Sequence, residues 1–244
     1  MASVLHDTWE TYTKNLGLIL LFSIPFIIAF LIPLLAPLPT FLTAGGIFLR
    51  SASIFVNLNI LSVAVIIISL FVSLLFLSFA FVAISLIVKA TRTHTRTGKS
   101  VLKDIEKYIA KVFVVWLIFQ FLLIVINIVG YLLNIEALLT AVGGFIIFSL
   151  IFYAPSAIVV DNKRIPRAII DSARLVVREP QYFLMWLGMI TVILSVIDFL
   201  AIGITGTLAS RYIVLIISSL FVLPYFVIFM AEAYMKRFPI LKRA

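Results

Sequence analysis

The chain has 244 residues, of which 64% are hydrophobic and 12% are charged, whereas soluble domains average about half apolar and a quarter charged. So little polar sequence cannot cover a water-exposed surface, and we expect a single transmembrane domain over 1–244. The net charge of +9 suits contact with anionic lipid better than a nucleic-acid partner, and the absence of cysteine excludes disulfides and Cys-ligated metals.

Hydropathy predicts an all-α integral membrane protein with six transmembrane helices, if about 20 apolar residues cross a bilayer. In chain order the predicted spans are Leu16–Leu35, Leu61–Val88, Val112–Leu133, Leu138–Val160, Tyr182–Ile204 and Tyr212–Ala233. The second is longer than a straight crossing requires, so we expect it to tilt or to project beyond the bilayer. The first exceeds the apolar region of a signal peptide, and we expect it to be retained.

The basic residues are distributed unevenly around these spans. Of the 19 Lys and Arg residues, only Arg50 and Arg211 fall in the first, third or fifth connection. All the others precede the first span, occupy the second and fourth connections, or follow the last span. Cytoplasmic flanks carry the excess of Lys and Arg. We therefore predict a multi-pass protein of the cell membrane with both termini in the cytoplasm.

Three segments on the predicted cytoplasmic side have the periodicity of amphipathic helices. The second connection has three lysines opposite its apolar face: Lys103, Lys107 and Lys111. The fourth connection has three arginines along one stripe: Arg167, Arg174 and Arg178. A weaker pattern over residues 4–14 precedes the first span. We expect three interfacial helices, and we expect the two basic ones to contact anionic lipid head groups.

An interfacial helix followed by two spans occurs three times along the chain. The predicted repeats cover residues 1–89, 98–160 and 165–234, and each returning span carries a Ser-Leu pair, at Ser73, Ser149 and Ser219. Because the three units run in the same direction, we predict three parallel helical hairpins about an axis along the membrane normal.

The end of the fourth predicted span carries a resemblance to a known family. Residues 153–163 have the sequence YAPSAIVVDNK, and the following helix continues the pattern with Ala168, Ser172, Ala173, Arg174, Leu175 and Val176. This segment resembles the membrane domain attached to some glycerophosphoryl diester phosphodiesterases, and related stand-alone six-span proteins of bacteria and archaea. The resemblance implies a lipid-related role by fold analogy alone, since the catalytic part of that family is a separate soluble barrel that these residues do not encode.

Several polar residues within the predicted spans are candidates for a transport pathway or a polar core. Asp198 is an intramembrane carboxylate, which indicates function, but its place near the outer interface also suits a contact with Arg211. Gln120 and Asn127 share one face of the third span, where amides commonly bond between helices. Glu232 lies four residues before Lys236, so an ion pair within one helix is the simplest expectation.

Two prolines, Pro155 and Pro224, occupy similar places in the second and third predicted hairpins and are candidate helix breaks. Such breaks either improve packing or expose backbone carbonyls to a cargo. His6 and His94 have no second ligand in the pattern, so we expect no metal or other cofactor. The sequence has no phosphate loop, nucleophile elbow or zinc-binding helix motif, so no catalytic residue is assigned.

Three functional classes stay open. The sequence favours a non-catalytic membrane protein of transport or channel type, with a polar cavity beside Gln120, Asn127 or Asp198. A lipid-associated scaffold or partner subunit is the alternative, and it predicts a sealed bundle with a basic face. A membrane-embedded enzyme, dependent on Asp198 or Glu232, is the third. Membrane lipids are the expected partners in each case, alongside a homo-oligomer or a second membrane protein.

Overall fold

The computed structural model describes residues 2–35, 40–43, 46–49, 60–93 and 99–237, and the side chain of Lys103 lies outside the described part. Most of the described chain is helical. The helices are α1 (Ala2–Lys14), α2 (Leu16–Leu35), α3 (Ile60–Arg92), α4 (Lys99–Leu132), α5 (Glu136–Ile151), α6 (Ala154–Asp161), α7 (Ile165–Arg178), α8 (Pro180–Ile217) and α9 (Leu223–Arg237). A short antiparallel hairpin joins β1 (Thr40–Thr43) to β2 (Gly46–Leu49), with Thr40 opposite Leu49.

Five helical segments of the described chain are long and apolar enough to cross a membrane: Ala64–Arg92, Asp104–Leu132, Ala137–Asp161, Pro180–Gly206 and Ala209–Arg237. A sixth results if α1 and α2, which meet at an angle of 91°, are counted together. By length and composition, the described chain therefore has five to six helical segments that could cross a membrane, consistent with a multi-pass membrane protein.

The last helix, α9, lies at the centre of one end of the bundle. It contacts α1, α3, α6 and α8, and its residues from Phe226 to Met235 are buried. In an apolar 18-residue stretch of the span Ala209–Arg237, 56% of the residues are buried inside the protein, against 17–33% in the corresponding stretches of the other four spans. The core is therefore concentrated where α9 ends, and the remaining spans leave most of their apolar surface exposed.

Consecutive helices account for much of the remaining packing. Helix α2 packs on α3, α3 on α4, and α4 on α5. Between α4 and α5, Gly144 lies close to Leu123, and a Cβ on Gly143 would lie 2.8 Å from Cδ1 of Ile126. The two glycines thus let α4 and α5 approach closely.

Helix α4 differs from the sequence prediction, which separated an interfacial helix around Lys107 from a third span beginning at Val112. The two are one continuous helix of 34 residues. The physical reason is local, because the run 99–132 contains no proline and its one glycine, Gly130, lies near the end. The hairpin of β1 and β2 was not predicted, and it falls in the semi-apolar stretch between the first two spans, where the predicted boundaries were weakest.

Each of the two prolines predicted to break a span follows an irregular turn. Residues Phe152 and Tyr153 interrupt the fourth span between α5 and α6, and Pro155 lies in the first turn of α6. A π-helical turn, Ser218–Val222, precedes Pro224. A proline ring collides with the carbonyl four residues earlier, which here belongs to the last residue of α5 or to the π-helical turn. The fifth and sixth spans separate at Gly206, whose φ of 76° favours glycine.

Candidate functional site: the basic end of the bundle

Most polar contacts between distant helices lie at one end of the bundle, which we call the basic end. It is formed by α1, α7, the last turns of α3, α6 and α9, and the first turns of α4 and α8. Its ion pairs and hydrogen bonds form two networks, one around Glu232 and one around Tyr234. Because both residues belong to α9, the central helix connects the two networks.

The first network surrounds a buried carboxylate. The side chain of Glu232 is 1% exposed, and its Oε2 lies 2.7 Å from Nη2 of Arg92 on α3. The same Nη2 lies 2.6 Å from Oδ2 of Asp7 on α1, and Thr11 donates a hydrogen bond of 3.1 Å to Glu232 Oε1. Arg92 therefore joins α1, α3 and α9 through two carboxylates.

This network corrects the predicted pairing of Glu232 with Lys236. The Lys236 ammonium instead donates to Ser3 Oγ at 2.7 Å and lies 5.9 Å from the centroid of the Tyr182 ring. Residues Arg92 and Glu232 were missed as partners, although one sequence signal was present. They are opposite charges that fall at the same end of two predicted spans, and intramembrane charges normally pair.

The second network joins α6, α7 and α9. The hydroxyl of Tyr234 donates to Asp161 Oδ2 at 2.6 Å and accepts a hydrogen bond of 2.8 Å from Lys163. Lys163 also pairs with Asp161 at 3.1 Å and with Asp171 of α7 at 2.9 Å. Arg174 lies 3.8 Å from Asp171, so this network reaches the stripe of arginines.

The interruption of the fourth span is stabilised by α7. The turn at Phe152 and Tyr153 removes regular hydrogen bonding, and the Tyr153 backbone N–H donates instead to Ser172 Oγ at 2.8 Å. Both partners are buried, and an unpaired buried N–H costs about 1–3 kcal/mol. Ser172 therefore has a structural role that fixes α7 against the broken span.

Helix α7 has three distinct faces. Ala168, Ser172 and Leu175 are buried against the bundle. On the opposite side of the helix, about half a turn away, Ile170 and Val177 are 57% and 75% exposed. The remaining face carries the exposed arginines of the predicted stripe: Arg167, Arg174 and Arg178. An apolar exposed face beside a cationic one is the pattern of a helix at a membrane surface.

A group of lysines surrounds Tyr108, a residue of α4 that is 4% exposed. The ammonium groups lie 5.6 Å (Lys89), 5.2 Å (Lys107) and 5.9 Å (Lys111) from the centroid of the ring. Two of them are the lysines predicted to contact anionic lipid. Lys89, which comes from α3, was not among the predicted contacts.

The three residues predicted to line a pathway are not brought together. Asp198 is exposed on the outside of α8, and it forms no ion pair with Arg211 in the described chain. Gln120 is 8% exposed within α4. Asn127 is 7% exposed, donates to the Leu123 carbonyl at 2.8 Å and accepts a hydrogen bond of 3.0 Å from Thr140. The contacts of Asn127 belong to the packing of α4 on α5.

His6 is less isolated than the sequence pattern indicates. Its Nδ1 lies 3.9 Å from Asp7 and 4.0 Å from Glu10, and the three potential ligand atoms lie within 4.8 Å of one another. However, Asp7 already pairs with Arg92, and Glu10 already pairs with Lys14. Protein cations therefore occupy the carboxylates that a metal ion would need.

Comparisons of the chain with protein-family models, with curated proteins and with solved structures find no match. The resemblance to the phosphodiesterase membrane domain therefore stays a prediction that rests on residues 153–176. Any functional conclusion depends on the chemistry of the basic end itself.

Proposed function

We propose that this chain is a non-catalytic, lipid-associated scaffold of the cell membrane, in which α7 binds the anionic head groups of the cytoplasmic leaflet. In this proposal both termini are cytoplasmic and the spans form three parallel hairpins. The basic end of the bundle then lies at the inner surface of the membrane. The observation that carries the proposal is the division of α7 into three faces.

The exposed apolar face of α7, flanked on one side by the arginines, fits a position at a membrane surface. Ile170 and Val177 would each leave a large apolar side chain in water if this end were surrounded by solvent. At a lipid interface they enter the acyl region, where burial of such a side chain is favourable by about 1.5–3 kcal/mol. The neighbouring arginines then reach the phosphates, and each contributes about 1 kcal/mol near an anionic leaflet.

The support beneath α7 favours a fixed surface. Ser172 binds the α7 helix to the interrupted fourth span, and Lys163 joins Asp171 to the central helix through Tyr234. Arg92 holds α1, α3 and α9 together in the same layer. A layer joined in this way at several points is suited to presenting a constant basic face, as a scaffold requires.

Transport or conduction, which the sequence favours, has less support. That hypothesis needs a polar cavity near Asp198, Gln120 or Asn127, yet Asp198 faces outward and Asn127 takes part in helix packing. The membrane-enzyme alternative needs a titratable cluster in a cleft, whereas Glu232 is paired with Arg92 and Asp198 is exposed on the outside of α8. A flux assay on vesicles with Asp198→Asn tests the transport hypothesis, and loss of a measurable flux would support it.

The orientation can be tested with single cysteines, because the natural chain contains none. Leu133→Cys places an exposed thiol at the α4–α5 turn, and Arg164→Cys places one at the start of α7. In intact cells a membrane-impermeant maleimide should label Leu133→Cys. Arg164→Cys should be labelled only after the cells are opened. The reverse pattern of labelling contradicts the proposed orientation.

The position of α7 can be tested with nitroxide labels on Ile170→Cys and Val177→Cys in lipid nanodiscs. Both labels should be accessible to oxygen and shielded from a polar relaxation agent. Replacing the three arginines by glutamine should reduce the extra thermal stability that anionic nanodiscs give over zwitterionic ones. The wild-type difference should also decrease at high salt, because salt screens exposed charges. The proposal would be contradicted by labels that are exposed to water, or by a stability difference between anionic and zwitterionic nanodiscs that does not change with salt.

A further inference from the structure

The lysines around Tyr108 occupy fixed positions. Lys89 donates a hydrogen bond of 2.9 Å to the Val159 carbonyl, in the last turn of α6. Lys111 donates one of 3.2 Å to Oδ1 of Asn162, the residue that ends α6. The ammonium of the exposed Lys107 lies 5.2 Å from the centroid of the same buried Tyr108 ring. Three helices, α3, α4 and α6, therefore hold the ammonium groups around one ring.

Carboxylates balance only part of the positive charge of this cluster, since Asp104 and Asp161 attract Lys89 from beyond ion-pair distance. Within the described chain, none of the three lysines forms an ion pair, and Asp161 at the end of α6 is bonded to Tyr234 and Lys163. A cation–π contact contributes only about 0.5–2 kcal/mol. The end of α6 supplies the equivalent of about half a negative charge. Three ammonium groups thus retain a surplus of positive charge.

We infer that Lys89, Lys107 and Lys111 form a binding site for the phosphodiester group of one anionic glycerophospholipid. Ammonium groups are common phosphate ligands, and a phosphodiester offers two charged oxygens to donors on different helices. The inference rests on the proposed function for its placement of the basic end at a lipid leaflet. At that depth Lys89 lies in the last turns of α3, and Lys111 lies directly before the apolar part of α4.

The excess positive charge of the lysine cluster determines which net charge the bound lipid should have. A lipid with an uncharged group beyond the phosphate reduces the positive charge of the cluster. The ammonium of a zwitterionic lipid would add a positive charge beside the lysines instead. The site should therefore prefer phosphatidylglycerol to phosphatidylcholine, and it is separate from the arginine stripe on α7.

The inference is tested on the full chain in neutral detergent by native mass spectrometry. Phosphatidylglycerol, phosphatidylcholine and sodium phosphate are titrated separately. The expected result is one phosphatidylglycerol per chain at low lipid concentration, with little binding of phosphatidylcholine at the same concentration. Sodium phosphate should displace that lipid only in large excess, because it lacks the acyl chains that add to the affinity.

The diagnostic variant is Lys107→Gln combined with Lys111→Gln. Its affinity for phosphatidylglycerol should decrease at least about tenfold, the factor that corresponds to one lost hydrogen bond to a charged group. The charge-retaining variant, Lys107→Arg with Lys111→Arg, should keep the lipid. The matched control, Lys14→Gln with Arg237→Gln, removes the same amount of charge from exposed positions outside both proposed lipid contacts and should also keep it.

Three results would each overturn the inference. The first is unchanged phosphatidylglycerol binding by the Lys107→Gln, Lys111→Gln variant, and the second is equal binding of phosphatidylglycerol and phosphatidylcholine. The third is displacement of phosphatidylglycerol by sodium phosphate at the concentration at which the lipid itself binds. If the double variant does not fold, Lys107→Gln alone serves, because this side chain is exposed. Failure of the proposed function gives a different result. In that case, replacing the three α7 arginines by glutamine would leave the preference for anionic nanodiscs unchanged, while the lipid bound beside Tyr108 would persist.

Discussion

Arg92 and Glu232 are separated by 140 positions in the sequence, yet the guanidinium contacts one carboxylate oxygen through both Nε, at 2.9 Å, and Nη2, at 2.7 Å. The pair links the end of α3 to the central helix and, through Asp7, to α1. Because Glu232 is almost completely buried, its charge depends on Arg92 for compensation. This makes the pair the most direct target for a test of the fold.

We expect Arg92→Met to lower the free energy of unfolding by about 3–5 kcal/mol, because a buried charge loses its partner. The measurement is thermal or denaturant unfolding in detergent. Arg211→Met, which removes an arginine without an ion pair in the described chain, is the control and should have little effect. The double variant Arg92→Met, Glu232→Met should recover much of the loss, since it leaves no buried charge. A double variant less stable than Arg92→Met would show that the pairing is not the source of the stability.

We expect Ser172→Ala to destabilise the protein by about 1–3 kcal/mol, because the Tyr153 N–H loses its acceptor in a buried position. Ser149→Ala, in helix α5 before the interruption, is the matched control. Among the described residues, the Ser149 hydroxyl bonds only to the Ile146 carbonyl of its own helix, so its loss should cost under about 0.5 kcal/mol. Unfolding measured in the same detergent compares the two. Equal effects would mean that the interruption does not depend on α7.

A leucine at Gly143 should separate α4 from α5, because even a Cβ there meets Ile126 at 2.8 Å. Overpacking of this kind costs about 1–3 kcal/mol. Gly188→Leu is the control, since a Cβ on Gly188 has nothing within 4 Å and the position faces outward. A protease-resistance assay in detergent measures both. If Gly143→Leu is tolerated as well as Gly188→Leu, α4 and α5 do not pack closely at Gly143.

The pair of Asn127 and Thr140 should behave as a packing contact. Asn127→Leu and Thr140→Val should each cost about 0.6–2 kcal/mol, and the double variant should cost less than the sum, because the two side chains share one hydrogen bond. Unfolding of the four proteins in one lipid mixture gives the coupling. Additive losses of stability would show that the two side chains do not interact, and a pathway role for Asn127 would again be open.

The spans were predictable because membrane composition is a strong signal. The segments Ala64–Arg92, Ala137–Asp161 and Pro180–Gly206 begin and end within four residues of the predicted spans, and no water-soluble surface competes with that assignment. The proline signals also mark real irregularities, since Pro155 and Pro224 each follow an irregular turn. Local chemistry was sufficient at these positions.

The contacts between spans were not predictable from one sequence. Glu232 was assigned to Lys236, because an i,i+4 neighbour is visible in the sequence, whereas Arg92 is brought to it only by the packing of α3 against α9. The role of Ser172 was hidden for the same reason, since its partner is a backbone N–H freed by an interruption 19 residues earlier. Periodicity indicates which face of a helix is buried, and it does not indicate which helix covers that face.

The central position of α9 has a consequence for the order in which the protein is built. Synthesis proceeds from the N-terminus, so Asp7, Thr11 and Arg92 reach the membrane before Glu232 exists. During that interval the earlier helices surround a gap, and the arginine has only Asp7 as a counter-charge. Completion of the bundle therefore waits for the last helix to be inserted among the others. A chain interrupted before α9 would expose its unfinished interior to the membrane proteases that remove incomplete proteins.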